Sequence, residues 1–285
     1  MKLSGTYAVC EGSLGMIQQS LVDAIVQLVA PQMIYLLGTK KCCSKTESIF
    51  CSSAGTLQRV SGCFLLIVLK DTSRTEQYQW QDQIERVCRN IIPTTTIVIS
   101  KNEFEHWLNE KQFFAFHVRQ SAVSIYDAEE EKRPIADVLS LVAEKELLRK
   151  MIDVGLSRAR AFLLGSELFR VQRYNSMAAF MLHQSTEHAL HAILKAGTGY
   201  HTTTHNIDRL LNYASFVFPE VARIFPRETE NEKRMFTLLQ KAYSDARYDD
   251  QYKINSRDLL VITEKVRLLH GVLEDKHIGS VVENQ

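Results

Sequence analysis

A chain of 285 residues, 45% hydrophobic and 24% charged, has the composition of a soluble globular protein and the length for two domains. Its formal charge of +1 excludes a dominant electrostatic pull towards nucleic acid or an anionic membrane and selects no partner. All six cysteines (Cys10, Cys42, Cys43, Cys51, Cys63, Cys88) lie in the first third without CxxC spacing, so reduced thiols in a cytoplasmic protein are expected.

Met16 to Ala30 is amphipathic at helical period and Pro31 stops it, after which MIYLLG (Met33 to Gly38) has the pattern of a short buried strand. CFLLIVL (Cys63 to Leu69) predicts a second strand. At this length the apolar run is far short of the roughly 20 residues a membrane-spanning helix requires, so no membrane partner is predicted. A polar helix is expected over Thr75 to Asn90. Pro93 and the β-branched run Thr94 to Ile99 then predict a third strand. Phe104 to Leu108 and Phe113 to Ala115 predict covering helix, and Val123 to Tyr126 an edge strand.

The charged, proline-ended stretch DAEEEKRP (Asp127 to Pro134) lies where β-rich character gives way to helix, which places the domain boundary there. Beyond it Leu141, Leu148, Ile152, Gly155, Ala159 and Phe162 keep a helical stripe, broken by a polar step near Arg170 to Asn175. On the next helix Ala178, Met181, Leu182, Ser185, Ala189, Ile193 and Ala196 form a stripe small enough for another helix to approach closely. Gly197 and Gly199 are expected to end it. Asn206 to Phe218, closed by Pro219, then Glu228 to Tyr252 and Ser256 to Asp275 complete a bundle of about five helices. The fold class is α+β: a small α/β domain over residues 1–130 and an all-α bundle over 135–278.

Three segments, MAAFMLHQSTEHALHAILKAG, TTHNIDRLL and KAYSDARYDDQY, together resemble the HEPN domain. The resemblance implies a groove in which Arg247 on one helix meets Gln184 and Glu187 from another, and it implies dimerisation through the helices. Some members are metal-independent ribonucleases that need an arginine followed, four to six residues on, by a histidine. Here Tyr248, Asp249, Asp250, Gln251 and Tyr252 follow Arg247, and a phenol is a poor base at neutral pH. His183 is a conceivable substitute from the neighbouring helix. A guanidinium flanked by Tyr248 and Tyr252 suits phosphate and a stacked base. Alternatively, Arg247 pairs with Asp245, Asp249 or Asp250 in a structural network.

The strand, Gly38-Thr39, then a second strand also resemble the minimal nucleotidyltransferase fold, often found beside HEPN domains. In active members a Gly-Ser turn holds phosphates and an Asp-x-Asp pair with a third carboxylate binds Mg²⁺, whose hard charge takes oxygen ligands. This chain keeps a Gly-Thr, but Ser61-Gly62-Cys63-Phe64 stands where the acids belong and Thr94 to Ser100 has none. The lysine-rich Lys40 to Thr46 is read as a solvated loop, or as a metal-free phosphate contact. His183, Glu187 and His191 stack at every fourth position, which suits zinc with His201 or His205 added, but hydrogen-bonded packing is the commoner use of such histidines. No metal, no cofactor and no catalytic residue is assigned.

The expected function is a non-catalytic, self-associating nucleotide- or RNA-binding protein in a toxin–antitoxin or defence setting. Its site would comprise Arg247, Tyr248, Tyr252, Gln184, Glu187 and His183, with Gly38 and Thr39. The alternatives are a metal-independent endoribonuclease with a non-standard acid–base pair, and a structural scaffold.

Overall fold

The structure, a computed structural model, describes residues 13–46, 55–70, 74–129 and 141–282. The chain divides into two compact units, Met1–Asp137 and Val138–Gln285. Of the linker stretch, residues 130–134 lie outside the described residues.

The first unit runs α1 (Ser13–Val29), β1 (Met33–Thr46), β2 (Gly55–Leu69), α2 (Arg74–Cys88), β3 (Thr94–Ser100), α3 (Lys101–Asn109), α4 (Phe113–Ser121) and β4 (Val123–Asp127). The four strands form one mixed sheet in the order β3-β2-β1-β4, with β2 and β3 parallel and the other pairs antiparallel. Alternation along the strands sends Ile34, Leu65 and Ile67 to one face, where they meet Leu21, Val22 and Ile25 of α1 and Ile84 of α2. Tyr35 points to the other face, where its ring lies 5.9 Å from Phe104 of α3 and its hydroxyl accepts from Arg119 of α4 at 2.9 Å. Both faces of the sheet are thereby covered, which explains why Leu65 to Val68 read as an unbroken apolar run.

Two expectations for this unit are corrected. Gly38 and Thr39 do not form a turn after a short strand: they lie inside β1, paired with Phe64 and Cys63, next to a register shift at Leu36/Gly38. Lys40 to Thr46 continue that strand instead of forming a loop. The reason is pairing, since β2 begins early enough to provide a partner for each of these residues from Lys41 onwards, and the ladder satisfies their backbone groups.

The second unit runs α5 (Leu141–Val171), α6 (Asn175–Thr198), α7 (Ile207–Val217), a 3-10 turn (Pro219–Arg223), α8 (Glu230–Lys241), the short α9 (Asp245–Tyr248) and α10 (Ser256–Val282). The core is built on α6, whose Ala178, Leu182, Ala189 and Ile193 are buried against α5, α7, α8 and α10. Small residues let α5 come close: a Cβ added to Gly155 would lie 2.3 Å from the Cβ of Ala192. Gly197 does not end α6 but lets α7 approach, since its Cβ would meet Val217 Cγ1 at 2.0 Å. The stop belongs to Gly199, at φ 71°, whose N–H returns to the Lys195 carbonyl. Asn206 caps α7 by accepting from Arg209 N at 3.1 Å, and Thr229 with Glu232 forms a capping box on α8.

The expected helix from Glu228 to Tyr252 is broken. α8 ends at Lys241 and only one turn, α9, follows. Here short polar side chains capture local partners in place of the helical ladder: Ser244 Oγ donates to Asp245 Oδ1 at 2.6 Å, and Gln251 N donates to Asp249 Oδ1 at 2.8 Å. No helix of the described residues is long and apolar enough to cross a membrane.

Candidate functional site

Tyr243, in the turn after α8, is the ring around which the site assembles. His205, from the connection between α6 and α7, stacks on it at 4.4 Å and 15°, and His183 of α6 leans against it at 5.3 Å. Arg247 sits over the same ring at 4.5 Å, and also over Phe180 at 5.0 Å and Tyr248 at 4.8 Å. Its Nε donates to the Tyr243 carbonyl at 2.6 Å, one helical turn back. Three aromatic rings therefore lie within about 5 Å of the guanidinium carbon of an exposed arginine, close enough for cation–π attraction. Among the described residues no carboxylate pairs with it, so the anticipated network with Asp245, Asp249 or Asp250 is absent from them.

The second centre is Glu187, on α6, which is 5% exposed. Oε1 accepts from His205 Nδ1 at 3.0 Å, and Oε2 accepts from Gln184 Nε2 at 3.1 Å. His183 Nδ1 lies 3.6 Å from Oε2, and His191 Nε2 lies 3.9 Å from Oε1. A carboxylate only accepts, so His205 carries a proton on Nδ1, on a ring whose side chain is 51% exposed. His183 behaves in the opposite manner. It is fully buried, its Nε2 has no hydrogen-bond partner, and burial pushes its pKa down to about 3, with His205 and Arg247 lowering it further against the His205 backbone. It is neutral, and its contact with Glu187 is between a neutral ring and a carboxylate. His191 is likewise held down, at about 4, by burial and then by the neighbouring His201.

Of the residues picked out from sequence, Arg247, Gln184, Glu187 and His183 converge on this region, and Tyr248 flanks Arg247 as an 80% exposed ring. Two of them fail as contact residues. Tyr252 turns into the core, where its hydroxyl donates to the Leu238 carbonyl at 2.9 Å and burial raises its pKa, so it cannot stack on a base. His183 is sealed from solvent and no substrate hydroxyl can reach it. Gly38 and Thr39 belong to the sheet of the other unit. Tyr243, Phe180 and His205 were missed as contact residues. Tyr243 lies one turn before Arg247, the spacing at which an arginine folds back on an aromatic ring, and that signal was available. Among the described residues no group of three or more His, Cys, Asp or Glu side chains is arranged to hold a metal ion.

No curated protein matches the chain. One solved structure, a nucleotidyltransferase-like protein from Exiguobacterium sibiricum, is 10% identical and covers 94% of this chain and 80% of its own, at a TM-score of 0.29 that carries no argument. A family match covers residues 154–276, from within α5 to within α10, and so takes in both Glu187 and Arg247. The family matched is the HEPN domain, to which the helical unit of this chain is similar.

Proposed function

We propose that the helical unit binds a nucleotide or the end of an RNA chain without cleaving it, and does so as a self-associated module. The observation that carries this reading is the exposed guanidinium of Arg247, braced by Phe180, Tyr243 and Tyr248 and neutralised by no carboxylate among the described residues. A cation held in that way offers its fork to phosphate oxygens, and the exposed Tyr248 ring offers a face for a base. The lack of cleavage is supported by Tyr252, which occupies a position where nuclease members keep histidine and is buried with its hydroxyl engaged. Self-association is supported by Leu164, Leu168 and Val171, which stand on one stripe of α5 and are 59%, 64% and 67% exposed. Fluorescence anisotropy with a short single-stranded RNA tests the reading: wild-type protein is expected to saturate and Arg247→Ala to lose most of the affinity.

A second reading, metal-independent RNA cleavage, is favoured by one observation. His205, oriented by Glu187 at 3.0 Å, shares the Tyr243 ring with Arg247 and has a half-exposed side chain. A carboxylate-oriented imidazole beside a guanidinium is a general base beside an oxyanion stabiliser. Cleavage of RNA without added metal, lost in both His205→Ala and Arg247→Ala, would replace the non-catalytic reading with this one.

A further inference from the structure

The carboxy-terminal half of α6 borders a second feature, a cleft of about 700 Å³ that does not include Arg247 or the rings beneath it. Its walls come from three elements: α5 supplies Lys150 and Arg158, α6 supplies His188, His191 and Lys195, and the connection to α7 supplies His201. The floor is the seam where Gly155 and Ala192 bring the two helices together. That volume is within the range of small-molecule sites, roughly 300–1,000 Å³.

Among the described residues lining this cleft, the cations Arg158 and Lys195 face one acid, Glu187, whose oxygens are occupied by His205 at 3.0 Å and Gln184 at 3.1 Å. Burial holds the pKa of His188 down, with Glu187 opposing by more than Arg158 adds, and burial and then Lys195 hold down that of His201. Two of the rings are fixed in place, His188 stacked on Phe162 at 5.1 Å and His191 facing His201 at 6.2 Å. Like charges gathered round a hollow repel one another, and an anion in the hollow relieves that repulsion. Neutral imidazoles add N–H donors without adding to the repulsion.

We propose that this cleft binds a compact phosphate-bearing small molecule, with Arg158 and Lys195 contacting the phosphate oxygens and His188, His191 and His201 donating to them from the walls. The cleft shares Glu187 and His205 with the Arg247 region, but Arg247 does not line it, and the ligand proposed here does not depend on RNA binding at Arg247. A charge-assisted contact to phosphate is about twice as strong as a neutral one, so the two cations dominate the affinity.

Titration calorimetry of the full chain with sodium pyrophosphate and, separately, with ADP tests this. Saturable binding of either ligand is expected. Arg158→Ala and Lys195→Ala should each weaken it about tenfold, and the double variant should remove it. Equal affinities would mean that phosphate alone is read, and tighter ADP binding that the nucleoside adds contacts; both support the site. Lys233→Ala, which removes a surface cation on α8 outside the cleft, should leave the affinity unchanged. Arg158 is exposed and Lys195 partly so, and unchanged thermal melts will show that the variants fold. No saturable heat with either ligand, or undiminished affinity in the double variant, would overturn the proposal.

Discussion

His205 Nδ1 donates to Glu187 Oε1 at 3.0 Å, and the ring this bond orients lies flat on Tyr243 at 4.4 Å. A buried carboxylate on α6 thus fixes an exposed ring in the next connection, and through Tyr243 it is linked to the arginine on α9. Glu187→Ala leaves His205 and Gln184 without their acceptor and is expected to destabilise the unit by about 1–3 kcal/mol. Glu187→Gln keeps one oxygen for His205 and is expected to cost less. Urea denaturation of the two variants checks the order. If the amide proves as damaging as the truncation, the carboxylate oxygen is not what orients the ring.

Gly155→Ala tests the seam between α5 and α6. In an exposed helix this substitution gains about 1 kcal/mol from helix propensity. At this position the added Cβ would lie 2.3 Å from that of Ala192, so overpacking of about 1–3 kcal/mol reverses the sign. A lower thermal midpoint is expected for the single variant. The pair Gly155→Ala with Ala192→Gly moves the small residue to the other helix and should recover part of the loss.

Stability should fall in acid because three buried imidazoles resist protonation. Burial holds His183 at about 3 and His191 and His270 at about 4, against 6.5 for the free group. The unfolded chain therefore binds more protons than the folded one between pH 6.5 and 4. Stability is complete above that window and lost as the pH falls through it, by roughly 1.4 kcal/mol per pH unit for each group. His270 offers a way to separate the contributions. Ser185 spends its only proton on the Ala159 carbonyl at 2.8 Å, so His270 Nε2 must be the donor to Ser185 Oγ at 3.0 Å. His270→Leu removes one of the three groups and should flatten the slope of stability against pH by about a third. An unchanged slope would mean that His270 is charged in the folded protein.

The helical stripe on α6 was legible because burial on one face writes a 3.6-residue period into the sequence, and Ala178, Leu182, Ser185, Ala189 and Ile193 are all buried. The same holds for Leu259, Ile262, Val266, Leu269 and Leu273 on α10. The break after Lys241 was not legible from periodicity, since it depends on Ser244, Asp245 and Asp249 choosing local partners over the helix ladder. That break moved Tyr252 off the helix face and into the core. The length of β1 was hidden for a different reason: KKCCSKT has no apolar alternation, and only the facing residues of β2 make it a strand. At the candidate site, Arg247 and Glu187 are singled out from sequence by residue type, whereas their contacts with Tyr243 and His205 are brought in by tertiary packing.

Leu164, Leu168 and Val171 follow one another at helical spacing and stay exposed on α5, with Leu268 on α10 a further exposed leucine of this unit at 62%. If a second copy covers the α5 stripe, placing charge there must cost association without touching the core. Leu164→Glu with Leu168→Glu is expected to shift sedimentation from dimer to monomer while the thermal midpoint at high dilution is retained. A wild-type protein that sediments as a monomer at tens of micromolar would remove self-association from the proposed function.

Arg247 separates a cation from a planar fork. Arg247→Lys keeps the charge, but a lysine lacks the planar group that sits within 5.0 Å of Phe180, Tyr243 and Tyr248 and cannot present two parallel N–H groups to a phosphate. Affinity for a short RNA should therefore fall several-fold in Arg247→Lys and by about tenfold or more in Arg247→Ala. The dependence on salt distinguishes the two losses. Removing a phosphate contact lowers the slope of log affinity against log salt by about one in Arg247→Ala, whereas Arg247→Lys retains the charge and should retain the slope. Tyr248→Ala, which removes a stacking face and no charge, should weaken binding at an unchanged slope. If all three variants bind as the wild type does, the braced guanidinium serves only to hold α9 against α6, and the RNA-binding reading fails with it.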